Sequence, residues 1–206
     1  MADEPLRIPD RNYGELRAIA DHFLAEHHPD GTLPIPVEEI IEFRLGLNII
    51  PMPGLRRFFD IDGYVSKSLR DISVDQYIQE SRPDHYRYVL AHELSHVLIH
   101  GEIISHLDFD SIEAWKGTIL GIAKEEKSVY DGQAHELGTL ILVPTDRLAM
   151  EFEKDRKRFE QRGLTLSQVA ATERGRIILE DNLARRFDVP RFVITDRMNR
   201  GRLWPR

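Results

Sequence analysis

The stretch His92-Glu93-Leu94-Ser95-His96 constrains this chain more than any other. An α-helix turns about 100° and rises about 1.5 Å per residue, so residues four apart lie roughly 40° from each other on one face. On a helix the two imidazoles therefore converge on one point, with Glu93 beside them. This is the H-E-x-x-H arrangement, in which two zinc ligands and a general base serve metal-assisted hydrolysis. The bland alternative is a chance match, which nine histidines in 206 residues make easier. The neighbours argue against it. Val89, Leu90, Leu94, Val97, Leu98 and Ile99 make the helix apolar nearly all round. Two histidines and a glutamate inside such a helix need partners, because unpartnered buried polar groups are costly.

Composition sets the frame for that helix. A chain of 206 residues, 41% of them hydrophobic, can bury one sizeable core, or a main domain with an appendage. The net charge of −7 gives no global signal for nucleic acid. No cysteine is present, which excludes disulfides and cysteine-based zinc sites and suits a reducing compartment. The acidic opening Met1-Ala2-Asp3-Glu4-Pro5 has no apolar h-region, and no apolar run is long enough to span a bilayer. The expectation is a cytoplasmic protein without membrane association.

Along the chain, Asn12 is a candidate N-cap for a helix that carries Leu16, Ile19, Ala20, Phe23 and Leu24 and stops near His28. A second helix starts at Pro36 and ends at Gly46, and a short strand follows over 47–51. Residues 54–75 read as sheet. Asp62-Gly63 is a turn signal between Phe58-Phe59 and Tyr64-Val65, and residues 71–75 alternate with period two. A small antiparallel sheet is expected directly before the H-E-x-x-H helix, with an edge that could take an extended peptide. The central helix begins at Ser81-Arg82-Pro83 and is expected to end at Gly101. His100 extends the histidine stripe, but lies about 12 Å from His92 along a straight helix and cannot readily share its metal. It reads as a C-terminal residue favoured by the helix dipole. The extended metzincin pattern is also absent, since Ile99 and Glu102 stand where it needs Gly and His.

A catalytic zinc site commonly has three protein ligands, so one more is needed downstream. Glu102, His106, Asp108, Asp110 and Glu113 lie in a stretch that reads as loop plus short helix. Asp131 and His135 are better placed, four apart on one face of a helix closed by Pro144. Ala134, Leu137, Gly138 and Ile141 give that helix a small-residue apolar face suited to close packing on another helix. Asp131 also has a structural reading, because Ser128-x-x-Asp131 has the form of a capping box. His135 can equally be a core histidine, and spacing does not choose between the two.

The run Tyr88-Val89-Leu90-Ala91-His92-Glu93-Leu94-Ser95-His96-Val97-Leu98-Ile99-His100, with a later helix ending Leu140-Ile141-Leu142-Val143-Pro144, resembles the ImmA/IrrE metallopeptidases. The resemblance covers residues 85–100 best and 128–148 fairly. It implies an α+β fold, mainly helical and zincin-like, with a small antiparallel-containing sheet and a C-terminal helical segment. It also implies a zinc-dependent endopeptidase that cuts a protein substrate, a helix-turn-helix repressor. Gln133-Ala134 and Val143-Pro144 match the family's second helix, which places Asp131 at the ligand position. His92, His96 and Asp131 would then hold zinc, with Glu93 as general base. Three departures stand out. Ser95 replaces the usual Gly, Asp131 replaces a Glu and is one methylene shorter, and His135 replaces an Asn. They leave open a catalytically weak regulatory module that keeps the fold and binds DNA or protein. The oxyanion partner is open among Tyr64, Tyr77, Tyr130 and His106.

The expected division is a metallopeptidase core over 1–150 and a C-terminal helical extension over 151–206. Thr145-Asp146 caps a helix whose Lys154, Arg156, Lys157 and Arg158 alternate with acidic residues as a solvated face. Ile178, Leu179, Leu183, Ala184 and Phe187, then a turn at Asp188-Val189-Pro190 and Phe192, Val193, Ile194 and Met198, give a helix-turn-helix outline. Arg191, Arg197, Arg200, Arg202 and Arg206 make its end basic. The expectation is packing that completes the fold, with a protein partner rather than direct contact to nucleic acid.

Overall fold

Asn12 opens the first helix as the sequence predicts. Its side-chain oxygen accepts from the Gly14 and Glu15 N–H groups, and the Glu15 carboxylate accepts the Asn12 N–H. This reciprocal box satisfies donors that a helix start otherwise leaves unpaired. Helix α1, Tyr13–His27, buries Leu16, Ala20 and Phe23. The computed structural model describes residues 7–205; the acidic opening Met1–Pro5 and the terminal Arg206 lie outside them. After Pro36 one turn of α-helix, α2 (Val37–Glu39), widens into π-helix over Ile40–Arg44. The Leu45 N–H there reaches back to the Ile40 carbonyl. Gly46, at φ 65°, ends it in a left-handed conformation that glycine adopts without a Cβ penalty.

The sheet is mixed. Strands β1 (Asn48–Met52), β2 (Gly63–Val65) and β3 (Asp71–Asp75) lie in the order β1-β3-β2, with β1 parallel and β2 antiparallel to β3. Parallel neighbours need a crossover. The segment expected as strand around Phe58-Phe59 supplies it as a short helix, α3 (Leu55–Phe59). Gly54 and Asp60, both at positive φ, bracket that helix, and the side chain of Phe58 stays exposed. In the central strand Ile72, Val74, Ser73 and Asp75 are all buried. Asp75 accepts the Arg56 and Ile78 N–H groups and so caps α4, Gln76–Ser81.

Helix α5, Pro83–His106, begins with Pro in its first turn, where no N–H is needed. It does not stop at Gly101 but continues for five residues. Gly101 serves tertiary packing instead: a Cβ there would come within 3.0 Å of Leu69 Cδ1. Helices α6 (Ile112–Gly121), α7 (Lys124–Leu142), α8 (Thr145–Gln161), α9 (Leu166–Ala170), α10 (Glu173–Phe187) and α11 (Arg191–Arg200) follow. The small-residue face of α7 seats on α5, and a Cβ on Gly138 would lie 3.0 Å from the Ala91 carbonyl group.

One apolar cluster joins α1, the sheet, α5, α7, α8, α10 and α11. Leu179, Leu183 and Phe187 of α10 meet Val193, Ile194 and Met198 of α11 inside it, so the helix-turn-helix outline packs its apolar faces inward. Residue 150 falls within α8. The basic end is largely engaged. Arg197 is buried, Arg200 pairs with Glu136 at 2.9 Å, and Arg191 lies 3.8 Å from Asp181. The class is α+β, mostly helical with a small three-stranded sheet. Among the described residues no helix is long and apolar enough to cross a membrane.

Candidate metal centre

Helix α5 puts Tyr88, His92, His96 and His100 on one stripe by its i, i+4 repeat, and α7 lays Tyr130, Asp131, Gln133 and His135 against it. His92, His96 and Asp131 form a group that can hold a metal ion, each offering one ligand atom, all within 4.8 Å of one another. His92 Nε2 and His96 Nε2 are 3.2 Å apart. Bonds of about 2.0–2.2 Å from two imidazoles and a carboxylate can meet on one ion at such spacings. Two nitrogens and one oxygen make a donor set that suits zinc.

The protonation of the group agrees with ligation. Burial pushes His92 and His100 down to about 4, and holds His96 well below the ordinary range. Neutral rings keep lone pairs available. Burial, with Asp131 and Asp62 as nearby anions, pushes the Glu93 carboxyl up to about 8. Burial also raises Asp131, opposed by Lys127. In this low-dielectric site, positive charge is what the carboxylates lack. His92 Nδ1 is buried without a partner, so its ring is placed by contact with Tyr88 and His96 rather than by an outer hydrogen bond.

The capping reading of Asp131 does not hold. Helix α7 starts at Lys124, so Asp131 lies two turns inside it and caps nothing. His135 points elsewhere: Tyr88 donates its hydroxyl to Nδ1 at 2.9 Å, and Nε2 meets Asp196 of α11 at 3.1 Å. None of Glu102, His106, Asp108, Asp110 and Glu113 lines the site cavity. His106 bonds the Glu102 carbonyl at 2.7 Å, and Asp108 pairs with Lys67. His100 is no helix end either. It is buried inside α5, bonded to His96 and to Gln133. Ser95, where the resembled motif has Gly, is fully buried, and its hydroxyl donates to the Ala91 carbonyl at 2.7 Å.

The group opens into a cavity of about 510 Å³, a volume suited to a few side chains of a larger ligand. Glu93, His92, His96 and Asp131 line it, together with Trp115, Ile119 and Leu120 of α6. The edge strand β2 contributes Gly63 and Val65. Gly63 is needed there, because a Cβ would stand 2.8 Å from Val89 Cγ1 and 3.1 Å from Glu93 Cγ. Of the four oxyanion candidates only Tyr130 lines the cavity. Its ring stacks on His96 at 4.0 Å, and Glu93 and Asp131 act on its hydroxyl, which burial holds above the ordinary phenol range.

Sequence reading missed two features. Tyr88 lines the cavity, and its signal was available, four residues before His92 on the same stripe. The second is a rim cluster in which Asp62 binds His85 at 2.7 Å and Arg56 at 3.1 Å. No local pattern joins those three residues. Compared with models of known protein families the chain matches none, and it matches no curated protein.

Proposed function

We propose that this protein is a zinc-dependent endopeptidase with a zincin-like core, as its resemblance to the ImmA/IrrE metallopeptidases suggests. The observation that carries the reading is the convergence of His92, His96 and Asp131 with Glu93 buried in the same cavity wall. His92, His96 and Asp131 would hold the ion. When bound, zinc supplies Lewis acidity toward the scissile carbonyl and a positive charge that favours ionised Glu93. Glu93 takes a proton from the attacking water and delivers it to the leaving amine. Tyr130 offers its hydroxyl to the developing oxyanion. The edge strand β2 gives an extended peptide a place to pair beside the site, and the apolar wall from α6 suits a substrate side chain. By the same resemblance the substrate is a helix-turn-helix repressor.

The alternative is a regulatory module with little proteolysis, supported by the Asp131 and His135 departures. Elemental analysis after zinc reconstitution, with cleavage assays on purified helix-turn-helix repressors, separates the two. One zinc per chain, with cleavage that disappears in Glu93→Gln while the zinc stays, is the expected result. A protein that takes up no zinc, or a Glu93→Gln variant with undiminished turnover, refutes the endopeptidase reading.

A further inference from the structure

We infer that Gln133 and His100, aligned by the backbone carbonyl of Pro9, are positioning residues that keep the proton of His96 on Nδ1 and turn its Nε2 lone pair toward His92 and Asp131. The purpose of this arrangement rests on the metal-centre reading, but its geometry does not. Pro9 offers only an acceptor here, so Gln133 Nε2, 2.8 Å from its carbonyl oxygen, must donate. That fixes the amide, and Gln133 Oε1 is left facing His100 Nε2 at 3.2 Å. An amide oxygen only accepts, so His100 carries its proton on Nε2. A neutral imidazole has one N–H, so His100 Nδ1 is a lone pair. It lies 2.9 Å from His96 Nδ1, which must therefore be the protonated nitrogen of that ring. His96 Nε2 is then free to ligate.

The chain has little freedom to run the other way. His96, His100 and Gln133 are all buried, where each hydrogen bond counts for more than in water. Tyr130 stacks on both rings, at 4.0 Å and 4.4 Å, and holds them in line. The segment that carries Pro9 is itself anchored. The Ile8 N–H donates to Glu126 at 2.8 Å, and Ile8 packs with Ile119 and Tyr130. A carbonyl near the start of the described residues, 124 positions from the Gln133 it fixes, thus sets the tautomer of a ligand histidine. A ligating imidazole whose other nitrogen donates to a fixed acceptor is oriented and made more basic.

The test uses the full chain labelled with ¹⁵N at histidine. In metal-free protein, long-range ¹H–¹⁵N spectra should show His96 as the Nδ1–H tautomer and His100 as the Nε2–H tautomer. His96 protonated on Nε2 refutes the inference. Zinc affinity, read by competition with a chromophoric chelator, should fall about 10- to 100-fold in His100→Phe and in Gln133→Leu. Unchanged affinity in both disruptive variants also overturns the positioning role. If either variant fails to fold, the wild-type spectra still decide. Wild-type protein with the stated tautomers but no zinc uptake sinks the metal reading and upholds the hydrogen-bonded chain.

Discussion

Glu93 shows how one side chain can serve two states of the site. In the metal-free protein its carboxyl is pushed up to about 8 from 4.5, chiefly by burial. Between those values the folded protein holds a proton that the unfolded chain releases. Its contribution to stability therefore falls as pH rises from 4.5 toward 8. His92 and His100, lowered to about 4 from 6.5, act in the opposite sense, weakening the fold as pH drops through that window. Gln cannot ionise, so Glu93→Gln removes the first effect and leaves the second. In chelator, its melting temperature should match wild type near pH 4.5 and exceed it increasingly toward pH 8. A gap independent of pH would show that the Glu93 carboxyl is not raised in the folded protein. At the same scale, Tyr130→Phe keeps the ring stacked on His96 and loses only the hydroxyl. Zinc content should stay at wild type while kcat falls about 10²- to 10³-fold, the usual cost of one oxyanion donor. A loss of zinc instead would make Tyr130 a structural support only.

At the scale of elements, the site is a property of how α7 lies on α5. Gly138 is a point of close approach, where a Cβ would stand 3.0 Å from the Ala91 carbonyl group and 3.1 Å from the His92 N atom. Those atoms are backbone, so they cannot swing aside. Gly138→Ala should push the helices apart by a few tenths of an ångström, costing about 1–3 kcal/mol as overpacking does. The same shift withdraws Asp131 from His92 and His96, so zinc affinity should fall along with the melting temperature in urea or thermal titrations. Full zinc affinity in a destabilised Gly138→Ala would show that Asp131 does not depend on this approach. The apolar face of α7 was legible from Ala134, Leu137, Gly138 and Ile141. The start of α7 was not. Ser128-x-x-Asp131 imitates a cap, yet the helix begins four residues before Ser128 because Tyr130 and Val129 pack in the satellite cluster with Ile8 and Ile119. Tertiary burial overrode a local start signal.

Over the whole molecule, the C-terminal helices belong to the same core as the site. Arg197 of α11 is 2% exposed and donates to the Val143 carbonyl at 3.1 Å, to Tyr13 Oη at 3.0 Å and to Thr145 Oγ1 at 2.8 Å. It thereby ties α11 to α1 and to the junction of α7 and α8. Arg197→Met should cost about 3 kcal/mol, because it leaves the buried Val143 carbonyl and its neighbouring hydroxyl acceptors without their donor, and lower Tm by roughly 10 °C in a chain of this size. A loss under a third of that would mean that water replaces the guanidinium. Sequence reading placed Arg197 in a basic tail, because charge along the chain says nothing of which arginine turns inward. It separated most of the amphipathic faces of α10 and α11, since 3.6-residue periodicity is a local property, but Ile178 and Phe192, which it placed on those faces, stay exposed. The mixed sheet was beyond it: that β1 runs parallel to β3 depends on α3 forming between Gly54 and Asp60, where the aromatic pair Phe58-Phe59 suggested a strand.

What the sequence determined by itself is the pair His92 and His96 with Glu93 beside them, because a four-residue spacing on a helix fixes direction within a single hydrogen-bonded element. What only the tertiary structure decided is the third member. Asp131 and His135 share one face of α7, and nothing in their spacing distinguishes them. The seating of Gly138 on Ala91 sets the height of α7 along α5, which brings Asp131 level with the histidine pair and carries His135 up to Tyr88 and Asp196. The choice between them is a matter of where two helices touch, and that contact is made by residues that carry no chemistry of their own.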